Sequence, residues 1–154
     1  MEGNALIQEF YRLGPHLPFS KTRLVVQPQN GWSPPVANHS DFGTPVLTLS
    51  AVTGFLFRAN KIKFTSVSTN PRRHYWVNNR DLLITRSNTP ELVGHVAIAS
   101  GIIKPTIYPD LIMRMIPDPN RVLTEFLYFQ LRSPSLRKKS PQSTGCKLDD
   151  EKTH

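Results

Sequence analysis

The sequence predicts an α+β fold: a mixed, twisted β-sheet with a few short helices, one of them packed near the C-terminus. Between residues 22 and 116 the apolar side chains come in short aliphatic or β-branched runs, such as Val46-Leu47-Thr48-Leu49 and Leu82-Leu83-Ile84-Thr85, separated by turn residues. Past Pro117-Asp118-Pro119 the period changes. Leu123, Phe126, Leu127 and Leu131 fall at i, i+3, i+4 and i+8, the spacing of an amphipathic helix that ends before Pro134. With 154 residues, 38% of them hydrophobic, the chain suffices for one domain with a core and not for two large ones.

Taken in order, residues 4–13 put Leu6, Ile7, Phe10 and Leu13 at helical spacing, with Asn4 as cap and Gly14-Pro15 as stop. We read residues 1–21 as a helical leader. Leu24-Val25-Val26 is strand-like. Residues 27–45 then form a long irregular loop around Gly31-Trp32-Ser33-Pro34-Pro35, of the kind that is usually functional or disordered. Strand candidates follow at 46–49, at Phe55-Leu56-Phe57 after a turn at Gly54, at Ile62-Lys63-Phe64, at Tyr75-Trp76-Val77, at 82–85, at 93–99 and at 111–116. The polar loop Arg86-Ser87-Asn88-Thr89-Pro90-Glu91 separates two of them. Residues 134–154 are polar and aperiodic, which predicts a disordered tail. The folded domain is therefore 22–133.

The formal net charge is +8, and it is not evenly spread. Residues 58–104 hold eight basic and two acidic side chains, a net of +6, while residues 1–57 and 105–132 are each neutral. A solvated basic face is the plain explanation. A concentrated surplus sums to a field that scattered charges do not make, which points to a polyanion, with nucleic acid ahead of an acidic membrane surface. No apolar run approaches the ~18 residues of a membrane span, no signal-like stretch opens the chain, and Cys146 is the single cysteine. These features predict a cytoplasmic protein without a disulfide framework.

Enzyme signatures fail one by one. Ser33-Pro34-Pro35-Val36 has the polar-Pro-Pro start of an amino-methyltransferase motif, but Val36 has no π face to stack on a flipped base. No glycine-rich strand–turn–helix precedes it. A paired-acid nuclease needs an Asp, then a Glu and a Lys one residue apart; Asp110 could begin such a pattern, but Glu125-Phe126-Leu127 lacks the lysine. The five histidines show no metal-ligand spacing, and His95, inside an apolar run, is better read as a packed, hydrogen-bonded residue. Neither catalysis nor a cofactor or metal is expected.

The stretch from Tyr75 to Leu131 is more specific. It contains YWVNNRDLLITRSNTPELVGHVAIA, then TIYPDLIMRMIPDP, then TEFLYFQLRSPSLR, preceded by Asn30-Gly31-Trp32-Ser33-Pro34 and Gly43-Thr44-Pro45-Val46-Leu47. Five short pieces in this order, over roughly residues 24 to 137, resemble the target recognition domain of a type I restriction–modification specificity subunit. Two departures stand out. Arg80 replaces the glycine usual before Asp81, and after Arg137 a polar tail stands where the family continues into a long spacer helix. The expectation is a single or truncated recognition domain.

The resemblance implies sequence-specific binding of one half of a split site on double-stranded DNA, no catalysis, and methyltransferase and motor-nuclease subunits as partners. A protein–protein adaptor, or a non-functional fragment docking a methyltransferase subunit, is the alternative. The residue chemistry adds detail. Arginine pairs bidentately with guanine and asparagine with adenine, so the loop Arg86, Ser87, Asn88, Thr89 suits base readout, although Asn88 and Thr89 also suit a simple turn before Pro90. Arg58, Lys61, Lys63, Arg72, Arg73 and Arg80 suit phosphate, which needs no fixed geometry; plain solvent exposure competes at each. If about six such groups displaced counterions, log K would fall with log salt at a slope near −5. Trp32 suits the DNA edge or the core, with the core slightly favoured, and Leu123, Phe126, Leu127 and Leu131 are assigned to the core.

Overall fold

The computed structural model describes residues 26–35, 42–86, 89 and 91–134. The helix expected at 4–13, Leu24 and Val25, the loop residues Ser87, Asn88 and Pro90, and the tail from 135 lie outside them.

The described chain is α+β. Its strands are β1 (Val26–Asn30), β2 (Thr44–Leu47), β3 (Ile62–Thr65), β4 (Leu82–Thr85), β5 (Val96–Ile98) and β6 (Ile112–Pro117), followed by helix α1 (Thr124–Arg132). They form a four-stranded antiparallel sheet of order β1-β6-β4-β5 and a two-stranded antiparallel sheet β2-β3. Residues 106–108 extend the smaller sheet. Ile107 bridges Val46 in parallel and Trp76 antiparallel, with Leu47 N–H on the Ile107 carbonyl (2.9 Å) and Tyr108 N–H on the Tyr75 carbonyl (3.0 Å).

Alternation along the central strands decides which layer lies on which face. Leu82, Val96 and Val26 point to one side and meet Leu127 of α1, with Ile84, Ile98, Met115, Tyr128 and Leu131 around them. Leu83, Ala97 and Ile112 point to the other side and join Val46, Leu47, Tyr75, Val77, Ile107 and Tyr108 of the second layer. The result is helix, sheet, sheet.

Four expectations need correction. Phe55-Leu56-Phe57 is a loop, because Gly54 (φ 81°) and Phe55 (φ 61°) are both left-handed, a backbone no strand holds. The run 93–99 contributes a strand only from Val96, since Gly94 (φ 79°) breaks it. The expected loop from residue 27 begins as strand β1; its proline is tolerated because β1 is an edge, with Pro28 opposite Met115. Leu123 is 69% exposed rather than core, because it is the N-cap residue of α1 and precedes the buried face.

Candidate nucleic-acid interface

Chain directions sort the basic residues into two ends. Thr85 closes β4, and Arg86 N–H donates to the Leu111 carbonyl (2.8 Å), so Arg86 lies where β6 begins. Gly31, just past β1, reaches the same place, with its N–H on the Ile112 carbonyl (3.2 Å). Tyr108 leads directly into Asp110 and Leu111, and the pairing of 106–108 with β2 and with 75–77 carries the C-terminal end of β2 and the N-terminal approach to Tyr75 to this end as well. That brings in Lys61, whose carbonyl accepts from Thr48 N–H (2.9 Å), and the Arg58 turn next to it. The turn holding Arg72 and Arg73 starts from the opposite end, where the Thr69 hydroxyl lies 3.2 Å from that of Thr44 at the start of β2 and the Asn70 carbonyl accepts from the Trp76 indole N–H (2.9 Å). Lys63 sits two residues inward on β3, opposite Val46. Arg80 is at the other end, its N–H on the Ala99 carbonyl (2.8 Å).

The connection from β4 to β5 is pinned at its base by Thr85, a residue the sequence analysis missed. The buried Thr85 hydroxyl donates to the Leu92 carbonyl (2.5 Å) and accepts from His95 N–H (2.9 Å), while the Thr85 carbonyl accepts from Gly94 N–H (2.9 Å). Inside the loop Leu92 N–H closes onto the Thr89 carbonyl (2.9 Å). The Thr89 side chain hydrogen-bonds the Glu91 carboxylate and, with Glu91's own backbone, holds it below the usual carboxylate range. Arg86 therefore projects from a loop whose exit is fixed to the sheet.

The remaining candidates differ in how far the fold already uses them. Arg58 Nη1 donates to the Thr53 carbonyl (2.7 Å) and Ser50 carbonyl (3.3 Å), bracing its own loop. Arg80 is ion-paired with Glu125 of α1 and has φ 76°, left-handed, at the position where the resemblance has glycine. Among the described residues, the side chains of Lys61, Lys63, Arg72, Arg73 and Arg86 have no ion-pair or hydrogen-bond partner.

The motifs that carry the resemblance turn out to hold one another. Trp32 N–H donates to the Tyr108 carbonyl (3.0 Å), and Ser33 hydroxyl hydrogen-bonds the Asp110 carboxylate. Any side chain at Gly31 would collide with the Pro109 carbonyl. Trp32, half-buried, stacks on Tyr75 at 5.1 Å, on the core side of the choice. A second clasp centres on Arg114, also missed. Its guanidinium reaches Asp81 Oδ2 (3.1 Å), Gln29 Oε1 (2.7 Å), and the carbonyls of Trp76 (3.1 Å) and His74 (2.9 Å), and lies 5.8 Å over the Tyr108 ring. Burial pushes the Tyr108 phenol above its ordinary range, Arg114 opposing and Asp81 adding to it. The signal was available: one arginine in Leu111-Ile112-Met113-Arg114-Met115-Ile116 is a buried charge in need of partners.

Solved structures share this architecture. A chain from a structure of a type I R-M system, described in terms of complex assembly and conformational transition, superposes with a TM-score of 0.55 at 22% identity, over 88% of this chain and 33% of that one. The HsdS subunit from Thermoanaerobacter tengcongensis gives 0.51 at 20% identity, over 75% of this chain and 26% of that one. The chain shares its fold with a part of each of these R-M chains. The likeness is one of fold, over about a third or a quarter of the longer chains. No protein-family model and no curated protein matches the sequence. In this shared fold the quoted motifs build the frame, while Lys61, Arg72, Arg73 and Arg86, unpaired among the described residues, lie on turns and loops outside the strands. Among the described residues no group of His, Cys, Asp and Glu side chains could hold a metal ion, and no helix is long and apolar enough to cross a membrane.

Proposed function

We propose that this chain binds double-stranded DNA as the target recognition domain of a type I restriction–modification specificity subunit. It performs no catalysis, works in the cytoplasm, and directs partner methyltransferase and motor-nuclease subunits to the site. What supports this reading most is the pair Lys61 and Arg86, without side-chain partners among the described residues, toward one end of a fold shared with chains of R-M structures. Arg86 and Asn88 read bases, and Ser87 and Thr89 beside them in the sequence serve the same contact. Lys61, Lys63, Arg72 and Arg73 take phosphate.

Arg58 and Arg80 are committed within the fold, so about four cations displace counterions rather than six. The slope of log K against log salt is then about −3.5. Fluorescence anisotropy with random and selected duplexes across a salt series tests this. Binding that ignores salt would overturn the reading.

A further inference from the structure

The loop between β2 and β3 presents an exposed leucine on a backbone held in an unfavourable shape. Left-handed φ costs glycine nothing, but Phe55 at 61° is strained. Four contacts keep it so. Gly54 N–H donates to His95 Nδ1 (2.9 Å), and the Phe55 ring lies on the His95 imidazole with centroids 4.5 Å apart. The Phe55 carbonyl accepts from the Tyr128 hydroxyl (2.7 Å), and Arg58 ties down the Thr53 carbonyl. The next residue, Leu56, is 60% exposed.

Strain maintained from several sides at a loop tip is a reason to look for function there. Folding gives none for fixing Leu56 in water. Its surroundings are specific: Arg58 and Lys61 follow it on the same loop, and His95 joins that loop to the base of the one bearing Arg86. An apolar side chain with cations beside it fits one feature of the major groove of duplex DNA, the C5-methyl group of thymine.

We propose that Leu56 is a specificity-determining residue that packs on a thymine methyl while the Arg86 loop reads a neighbouring base pair. The proposal rests on the DNA-binding reading above and adds a second loop to it. His95 sets the spacing between the two loops, so the thymine and the Arg86-read base stand at a fixed separation.

The test uses the full chain and a duplex selected by the wild type from a randomised pool. Each thymine is replaced in turn by 2′-deoxyuridine, which removes only the methyl group. One or two replacements weaken wild-type binding about fivefold, roughly the worth of one buried methyl. Leu56→Ala binds the thymine and uracil duplexes equally; Leu56→Met restores the difference. A selected site without thymine, a uracil effect that survives in Leu56→Ala, or no uracil effect in the wild type would each overturn the contact. The last, with a bent duplex, would make Leu56 a wedge between base steps instead. Failure of the wild type to bind duplex DNA in a salt-dependent way overturns the DNA-binding reading itself, whereas the other failures leave it standing.

Discussion

Arg80 and Arg86 are the same residue type at the two ends of the four-residue strand β4, yet Arg80 is turned back onto Glu125 of α1 while Arg86 has no side-chain partner among the described residues. Around Arg80 the polar groups answer one another: Asp81 Oδ2 accepts from Asn78 N–H and Arg114, and Asn79 bonds both Ile102 N–H and its carbonyl. Around Arg86 the backbone is equally well tied, but cations are left over. The lesson is that net charge does not locate an interface; what matters is which charges the fold leaves unanswered.

The largest effect that sharpens this contrast belongs to the internal clasp. Arg114→Ala strands Asp81, half-shielded behind it, and costs on the order of 3–5 kcal/mol, read as a lowered denaturation midpoint in urea. Anisotropy on the fraction that remains folded shows unchanged DNA affinity. A stable Arg114→Ala protein that no longer binds would place Arg114 in the interface and break the division between the ends. Next comes Arg86→Ala, which lowers affinity for the selected duplex by about 1–3 kcal/mol and flattens preference among sequences, with stability within about 0.5 kcal/mol of wild type. Equal losses on all duplexes would remove base readout from this loop.

Lys63→Ala acts differently. It weakens every sequence alike and reduces the magnitude of the salt slope by about 1. The smallest effect is expected at the other end. Arg80→Gly relieves a left-handed backbone worth about 1 kcal/mol and gives up an exposed ion pair worth a few tenths, so the protein gains roughly 0.5 kcal/mol by thermal denaturation and binds DNA as before.

Much of the frame was legible because burial writes itself into apolar runs. Leu82–Thr85 was read with its final bounds, since polar residues flank it and both faces are covered. Strand β1 was not legible: of Val26-Gln27-Pro28-Gln29-Asn30 only Val26 is buried, so an edge strand looked like loop. Phe55-Leu56-Phe57 misled for the opposite reason. Aromatic and aliphatic residues there signal a strand, and nothing in a phenylalanine announces positive φ, which tertiary contacts from His95 and Tyr128 impose. Composition named the cations but could not tell Arg58 and Arg80, which the fold consumes, from Arg72 and Arg73, whose side chains have no partner among the described residues. The α1 pattern held at Leu127 and Leu131 and failed at Leu123, where the periodicity runs one residue beyond the helix.

One paired measurement bears most directly on the proposed division of β4 into an inward end and a DNA-reading end. Arg80→Ala and Arg86→Ala are titrated side by side against the selected duplex and a scrambled one at fixed salt. Arg80→Ala should bind both as the wild type does, and Arg86→Ala should lose about ten- to hundredfold on the selected duplex, becoming indifferent between the two. Equal losses for the two variants, or a larger loss at Arg80, would contradict it.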